Sequence, residues 1–372
     1  MSKNKAGTTP LYQQIKNYLD TIIKQHFNDP EFRLPSENQI ATQFGSSRVP
    51  VIQALRELED EGKIYRLQGR GSFIKTDYVE LNQPEIHICL LIPQVHNYYC
   101  SEIIKGARAF LDQHHAKLFI STTDDDPKLE SEMIETVRSM QFQGLLFFPV
   151  IHNTYNDAIL NLAISKFPTV FVARNMSRLN VSSVFCDPYN CVFHAVEYLH
   201  ARGFSDVGFI SEPTSYSVFY EKRLQGYQNA MQQYYRDSQN AVVEIDFFSK
   251  SNSNLEEKIA NDLYFFMESH PDITAFISTD QALVPFYQYL FSKKAPEKKY
   301  TILTFDSTNN LNLFPYQNLI VIDQNPFKIG YLGAEQLYMQ IMQHTPIQNI
   351  DVPERFIVKN SDSSKFTLSD IK

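Results

Sequence analysis

Apolar positions along the chain change rhythm near residue 84, and the change divides it. Over residues 11–58 they recur at helical spacing. Leu11, Ile15, Leu19 and Ile22 make one helical face. Thr9 is its expected N-cap, with Pro10 in the first turn, where a missing N–H costs nothing. Ile40, Ala41 and Phe44 give a second, short helix its buried side, and Ser36 with Gln39 spells a capping box ahead of it. Gly45 permits a left-handed turn. A third helix is then expected, capped by Ser47, with Pro50 in its first turn, Val51, Leu55 and Leu58 inward, and Gly62 at its end. Residues 64–66 and 72–74 read as two strands around Gly69-Arg70-Gly71.

Beyond a short polar stretch the pattern alternates short apolar runs with helical periods. Strands are expected at 86–93, 117–121, 144–148 and 169–173, with helices at 101–115, 129–140 and 158–166 between them. Past Asp187 the rhythm restarts. Helices fall at 191–202, 221–234, 255–270 and 282–291, and strands at 207–210, 242–247, 275–278 and 301–305. Alternation of this kind means doubly wound parallel sheets. Two such runs mean two lobes, with a ligand crevice where the strand C-termini face each other.

A chain of 372 residues, 43% hydrophobic, is long enough for two or three domains. No run approaches the ~20 apolar residues of a membrane span. Residues 1–5 have no apolar core behind them, so no secretory leader is expected. Cys89, Cys100, Cys186 and Cys191 sit among apolar or aromatic neighbours and read as reduced, buried thiols of a cytoplasmic protein. The Cys186–Cys191 spacing does not fit a zinc knuckle, and no metal or cofactor is expected. Charge is uneven. Residues 1–76 carry a net +3 and the rest about −11 of a total of −8. An acidic body confines polyanion contact to the N-terminal part, and so modest a positive footprint argues for two heads acting together in a homodimer.

Ser47 and Arg48, in the first turn of the third helix, can reach a phosphate or a guanine edge. Leu34-Pro35-Ser36-Glu37, Ser47-Arg48-Val49-Pro50-Val51, Ala54-Leu55-Arg56-Glu57-Leu58 and Gln68-Gly69-Arg70-Gly71-Ser72-Phe73 follow in order. Residues 8–76 thereby resemble the winged helix-turn-helix domain of GntR-family transcription regulators. The resemblance implies contact with double-stranded operator DNA through Ser36, Asn38, Ser47, Arg48, Val49, Pro50, Ile52, Gln68, Gly69, Arg70 and Gly71. Asn38 and Ile52 depart from the basic residues the family often has there. Ile52 reads either as a contact to a thymine methyl or as a packing residue.

Residues 85–372, after a linker at 77–84, resemble the effector domain of LacI/GalR regulators, itself similar to periplasmic sugar-binding proteins. The carrying segments are Arg223-Leu224-Gln225-Gly226-Tyr227, Ser278-Thr279-Asp280-Gln281-Ala282-Leu283, Thr304-Phe305-Asp306 and Ile322-Asp323-Gln324, then Ile329-Gly330 with Ala334 and Leu337. The resemblance implies one lobe over about 85–187 and 325–343 and a second over about 188–323 and 344–372. It also implies a monosaccharide site from His96, Tyr98 and Tyr99 in the loop after the first strand, with Arg174, Arg223, Asp280, Asp306 and Gln324. Thr279 stands where the family usually has Asn, and Ala173 where an Asp often precedes the Arg. Such a set suits a sugar, because carboxylates accept, guanidinium donates and an aromatic covers the ring face. Tyr98 and Tyr99 also read as ordinary loop aromatics, and Arg223 with Asp306 as a structural ion pair.

Other clusters read more plainly. Asp124-Asp125-Asp126 is a solvated turn capping the next helix, and His114-His115, His194 and His200 are surface or core histidines. Phosphate-loop, dinucleotide and Gly-x-Ser-x-Gly signatures are absent from the sequence, which weighs against a two-lobed enzyme and a catalytic set. A GntR-type head on a LacI-type body is the architecture of regulators similar to arabinose repressors. The expectation is a sugar-responsive repressor answering to L-arabinose or L-fucose, with an activator or a non-sugar effector as the alternative.

Overall fold

The computed structural model describes residues 10–26, 29, 32–67, 69–75, 85–114, 116–150, 156–176, 178–236, 238, 240–246, 255–279, 299–306 and 318–359. Two compact units emerge, residues 1–85 and 86–372. The linker at 77–84 and the helix expected at 282–291 lie outside the described residues.

The first unit packs three helices and a hairpin. Helix α1 (Leu11–Gln25) buries Ile15, Leu19 and Ile23. Leu11 is 39% exposed, so the inward face runs through Ile23 rather than starting at Leu11. Its N-cap is Pro10, which has no side-chain acceptor to offer; Thr9, the expected cap, lies outside the described residues. Helix α2 (Glu37–Gln43) has the full capping box, the Ser36 N–H donating to Gln39 Oε1 at 2.8 Å. Helix α3 (Arg48–Asp60) follows its N-cap Ser47, whose side chain makes no capping bond. Strands β1 (Ile64–Leu67) and β2 (Gly71–Ile74) pair antiparallel. Lys16 reaches Glu57 at 3.1 Å and also Glu61, while Lys63 reaches Asp20 and Glu61 at 2.8 Å, lacing α1 to the end of α3.

The second unit holds two six-stranded sheets. The first runs β13-β7-β6-β5-β3-β4, parallel throughout: β3 Ile86–Ile92, β4 Ala116–Thr122, β5 Gly144–Phe147, β6 Thr169–Val172, β7 Ser182–Phe185 and β13 Asn349–Asp351. The second runs β14-β12-β11-β10-β8-β9, parallel except for β14: β8 Gly208–Ser211, β9 Ala241–Glu244, β10 Ala275–Ser278, β11 Thr301–Phe305, β12 Asn318–Asp323 and β14 Arg355–Lys359. Helices α4 (Tyr98–Leu111), α5 (Pro127–Ser139), α6 (Asp157–Ser165) and α10 (Pro326–Gln343) belong to the first lobe; α7 (Pro188–Ala201), α8 (Val218–Tyr234) and α9 (Leu255–Ser269) to the second.

The chain passes between the lobes three times: after β7, after β12 and between β13 and β14. This corrects the expected division, because β13 joins the first sheet although it lies within 344–372. Strand β7 was also unforeseen. Its Ser182 and Ser183 are fully buried, since Ser183 Oγ donates to Asn349 Oδ1 at 2.6 Å and Ser182 Oγ accepts the Gln348 N–H at 3.0 Å. Partners more than a hundred residues away make this polar strand a core element. In the first lobe α4 and α10 touch backbone to backbone. A Cβ on Gly330 would lie 2.0 Å from the Ile103 carbonyl oxygen, and one on Gly106 would lie 1.9 Å from that of Phe327.

Candidate DNA-reading face and effector cleft

On the head, α3 turns Arg48, Val49 and Ile52 outward; Val49 is 72% and Ile52 40% exposed. Ile52 is partly exposed on this face, so a part of its side chain is left for contact. A groove of about 650 Å³ lies beside this face. Ser36, Asn38, Arg48, Gly69 and Gly71 line it, whereas Ser47, Val49, Pro50, Ile52 and Arg70 do not. Gln68 lies outside the described residues. Two lining cations escaped the sequence reading, Arg33 and Arg66. Arg66 pairs with Glu37. Arg33 packs against the hairpin, where a Cβ on Gly71 would meet its Nε at 2.6 Å.

In the second unit, strand C-termini of both lobes and the crossing after β12 border an open cavity of about 160 Å³. Arg223 projects from α8 with its guanidinium 3.6 Å from the Phe305 ring centre and 4.2 Å from that of Phe219, and it donates to the Thr279 carbonyl at 2.7 Å. Asp306 follows β11 in left-handed backbone, φ 58°, a strained conformation for a residue with a side chain. Its Oδ2 accepts the Gln324 amide at 2.9 Å. Arg223 Nε and Asp306 Oδ1 are buried without a hydrogen-bond partner among the described residues. Burial pushes the Asp306 carboxyl up to about 7, against the pull of Arg223 and Gln324. From the first lobe, Arg174 donates to the Pro149 carbonyl and lies 5.0 Å from the Phe148 ring centre; burial lowers it to about 10. Behind it, fully buried Glu130 accepts from the Val150 N–H at 2.6 Å and the Asn156 amide at 2.8 Å. Burial raises this carboxyl to about 7.

Of the expected ligand residues, Tyr99, Arg174, Arg223, Asp306 and Gln324 line one cavity. Tyr98 and His96 do not, and Asp280 lies outside the described residues. The expected loop after β3 is shorter than read. Asn97 caps α4 by accepting the Cys100 N–H at 2.7 Å, so both tyrosines stand in the first helical turn. The pairing of Arg223 with Asp306 is not a direct ion pair among the described contacts. Each residue lines the cavity and keeps one buried atom without a hydrogen-bond partner among the described residues. The acidic turn acts as expected, Asp126 capping α5 through the Lys128 N–H at 2.8 Å.

Residues 85–360 match the family of periplasmic binding proteins and the sugar binding domain of the LacI family. The chain belongs to that family. Its head, residues 11–74, matches the bacterial regulatory proteins of the gntR family. The chain is 27% identical over 234 residues to the arabinose metabolism transcriptional repressor of Geobacillus stearothermophilus, covering 62% of this chain and 64% of that protein. The head is 46% identical over 80 residues to the transcriptional repressor NagR of Bacillus subtilis, 22% of this chain and 33% of that protein. The chain thus spans less than two thirds of the curated relatives it matches here. A LacI transcriptional regulator from Lactobacillus brevis superposes with a TM-score of 0.60 over 73% of this chain and 99% of its own, at 18% identity, a likeness of fold.

Within this LacI-type body the aromatic lining was only partly foreseen. Phe148, Phe219, Tyr220 and Phe305 line the cleft unannounced. Helical spacing held the clue for two of them. Phe219 and Tyr220 precede Arg223 by four and three residues and so share its face of α8.

Proposed function

We propose that this chain is a sugar-responsive transcription regulator, a homodimeric repressor that leaves its operator when a monosaccharide closes the cleft. Open valences on opposite charges carry the reading: Arg223 Nε can donate to a ligand hydroxyl and Asp306 Oδ1 can accept from one. Aromatic rings beside them offer cover for a sugar face. The cavity, about 160 Å³, is about ten times the ~10–15 Å³ that a single water needs, room for one sugar ring with its hydroxyls. L-arabinose is the first candidate, given the Geobacillus relative, and L-fucose the second. On the head, Arg48 reads a base edge, Val49 and Ile52 lie on thymine methyls, and Ser36, Asn38, Ser47 and the Gly69-Arg70-Gly71 wing tip hold the backbone. The family and the described residues, in which no helix is long and apolar enough to cross a membrane, fit action in the cytoplasm.

Ligand shifts the DNA-competent state only through differential affinity for the closed cleft. The test is a gel shift of the full chain on the DNA upstream of its own gene, with unlabelled competitor and a panel of aldoses. One aldose should release the complex and its stereoisomers should not. Release by none of them, with binding intact, would sink the sugar reading; no sequence-selective binding at all would sink the regulator.

A further inference from the structure

Outside the residues that line the cleft, two of the three crossings meet at a cluster of soft and acidic donors. Cys186 follows β7 by one residue, and Cys191 lies in the first turns of α7. Their Sγ atoms are 3.1 Å apart and both residues are buried. Glu354, the residue before β14, places Oε2 3.9 Å from Cys191 Sγ. Donor atoms of all three lie within 4.8 Å of one another. His194, one helical turn past Cys191, sets its Nδ1 2.7 Å from the other Glu354 oxygen.

We infer that Cys186, Cys191 and Glu354 bind one thiophilic divalent cation of the Zn²⁺ type at the junction of the lobes. Two thiolates and a carboxylate suit Zn²⁺, with bonds of about 2.3 Å to sulfur and about 2.0–2.2 Å to oxygen. A tetrahedral ion would open the sulfur pair to about 3.8 Å, a small rotamer adjustment. His194 holds the free oxygen of Glu354 and orients it, as partners outside the ligand shell do in metal sites. Its side chain is 47% exposed against 7% for Glu354, so entry and a solvent-filled fourth position lie on that side. Three protein ligands with an open fourth position make the ion exchangeable. A disulfide would use the same sulfurs, yet it would leave the buried Glu354 carboxylate with His194 alone. A cation employs the whole set, displacing the two thiol protons as it binds. It would also tether the first crossing to the third.

Cobalt titration of the full chain, reduced and stripped with a chelator, is the test. One Co²⁺ per chain should bind, with a thiolate-to-cobalt charge-transfer band that Zn²⁺ abolishes. Cys186→Ser should lower the band by about half or more, since one of two thiolates is lost. Glu354→Gln should keep its thiolates and weaken Co²⁺ at least tenfold, and it stays informative if the serine variant fails to fold. His194→Ala should weaken binding by about 10–100-fold. A band unchanged in Cys186→Ser, full affinity in Glu354→Gln, or no Co²⁺ uptake by a reduced chain that forms a Cys186–Cys191 disulfide in air would each overturn the site.

Discussion

Gln324 donates its side-chain amide to Asp306 Oδ2 at 2.9 Å, tying the crossing after β12 to the residue that follows β11. The bond leaves Asp306 Oδ1 buried without a partner among the described residues, and it partly offsets the burial that raises the carboxyl to about 7. The folded chain therefore keeps a proton that the unfolded chain releases near its ordinary value of 3.8. An acid raised in this way lowers stability as pH climbs from about 4 to 7. Asp306→Asn should melt higher than the parent above pH 7, and the two should converge below pH 4. The same variant should bind the effector sugar more weakly by ~1.5–3 kcal/mol, the value of a hydrogen bond to a charged group, read by calorimetry at pH 8.

Arg48→Ala should cost ~1–3 kcal/mol of operator affinity per half-site and relax preference at one base pair. Gel shifts at fixed salt across single-base operator variants check it. A loss equal for every variant would assign Arg48 to a phosphate.

At Gly71 two constraints coincide, a backbone φ of 113° and Arg33 Nε at 2.6 Å from any Cβ. Gly71→Ala should displace Arg33 and weaken DNA binding, while the thermal shift caused by sugar persists. Loss of both responses would make the hairpin a general structural element.

Gly330→Ala drives a methyl into the Ile103 carbonyl and forces α4 from α10. Overpacking of this kind costs typically ~1–3 kcal/mol. Urea unfolding of the full chain should show the second unit's transition moved to lower denaturant.

Glu130→Leu strands the Val150 N–H and the Asn156 amide, each at a cost of ~1–3 kcal/mol when buried unpaired. Glu130→Gln keeps one acceptor and should cost less. Because Pro149 anchors Arg174, the leucine variant should also weaken sugar binding.

Local chemistry carried most of the head into view. The Ser36–Gln39 capping box and the glycine-tipped hairpin are sequence-local devices, and both formed as read. Arg33 and Arg66 escaped because their place in the groove depends on how the hairpin folds back. In the body, strong strands such as β3 and β5 announced themselves by apolar runs, Ile88–Ile92 and Leu145–Phe147. Strand β7 did not, since its burial rests on hydroxyl partners at Gln348 and Asn349. Likewise the sequence holds no hint that Glu354 meets Cys191, because 163 positions separate them.

Threefold passage between the lobes has a consequence for anyone cutting the gene. Neither lobe is a contiguous stretch of codons, so neither can be expressed as a simple fragment. A stop codon just after α10 would strip β13 from the edge of one sheet and β14 from the edge of the other. It would also remove Glu354 and Arg355, neighbours that face different crossings: Glu354 toward His194, and Arg355 toward Asp323, to which its Nε donates at 3.1 Å. Losing the last short segment of this body would damage both halves at once.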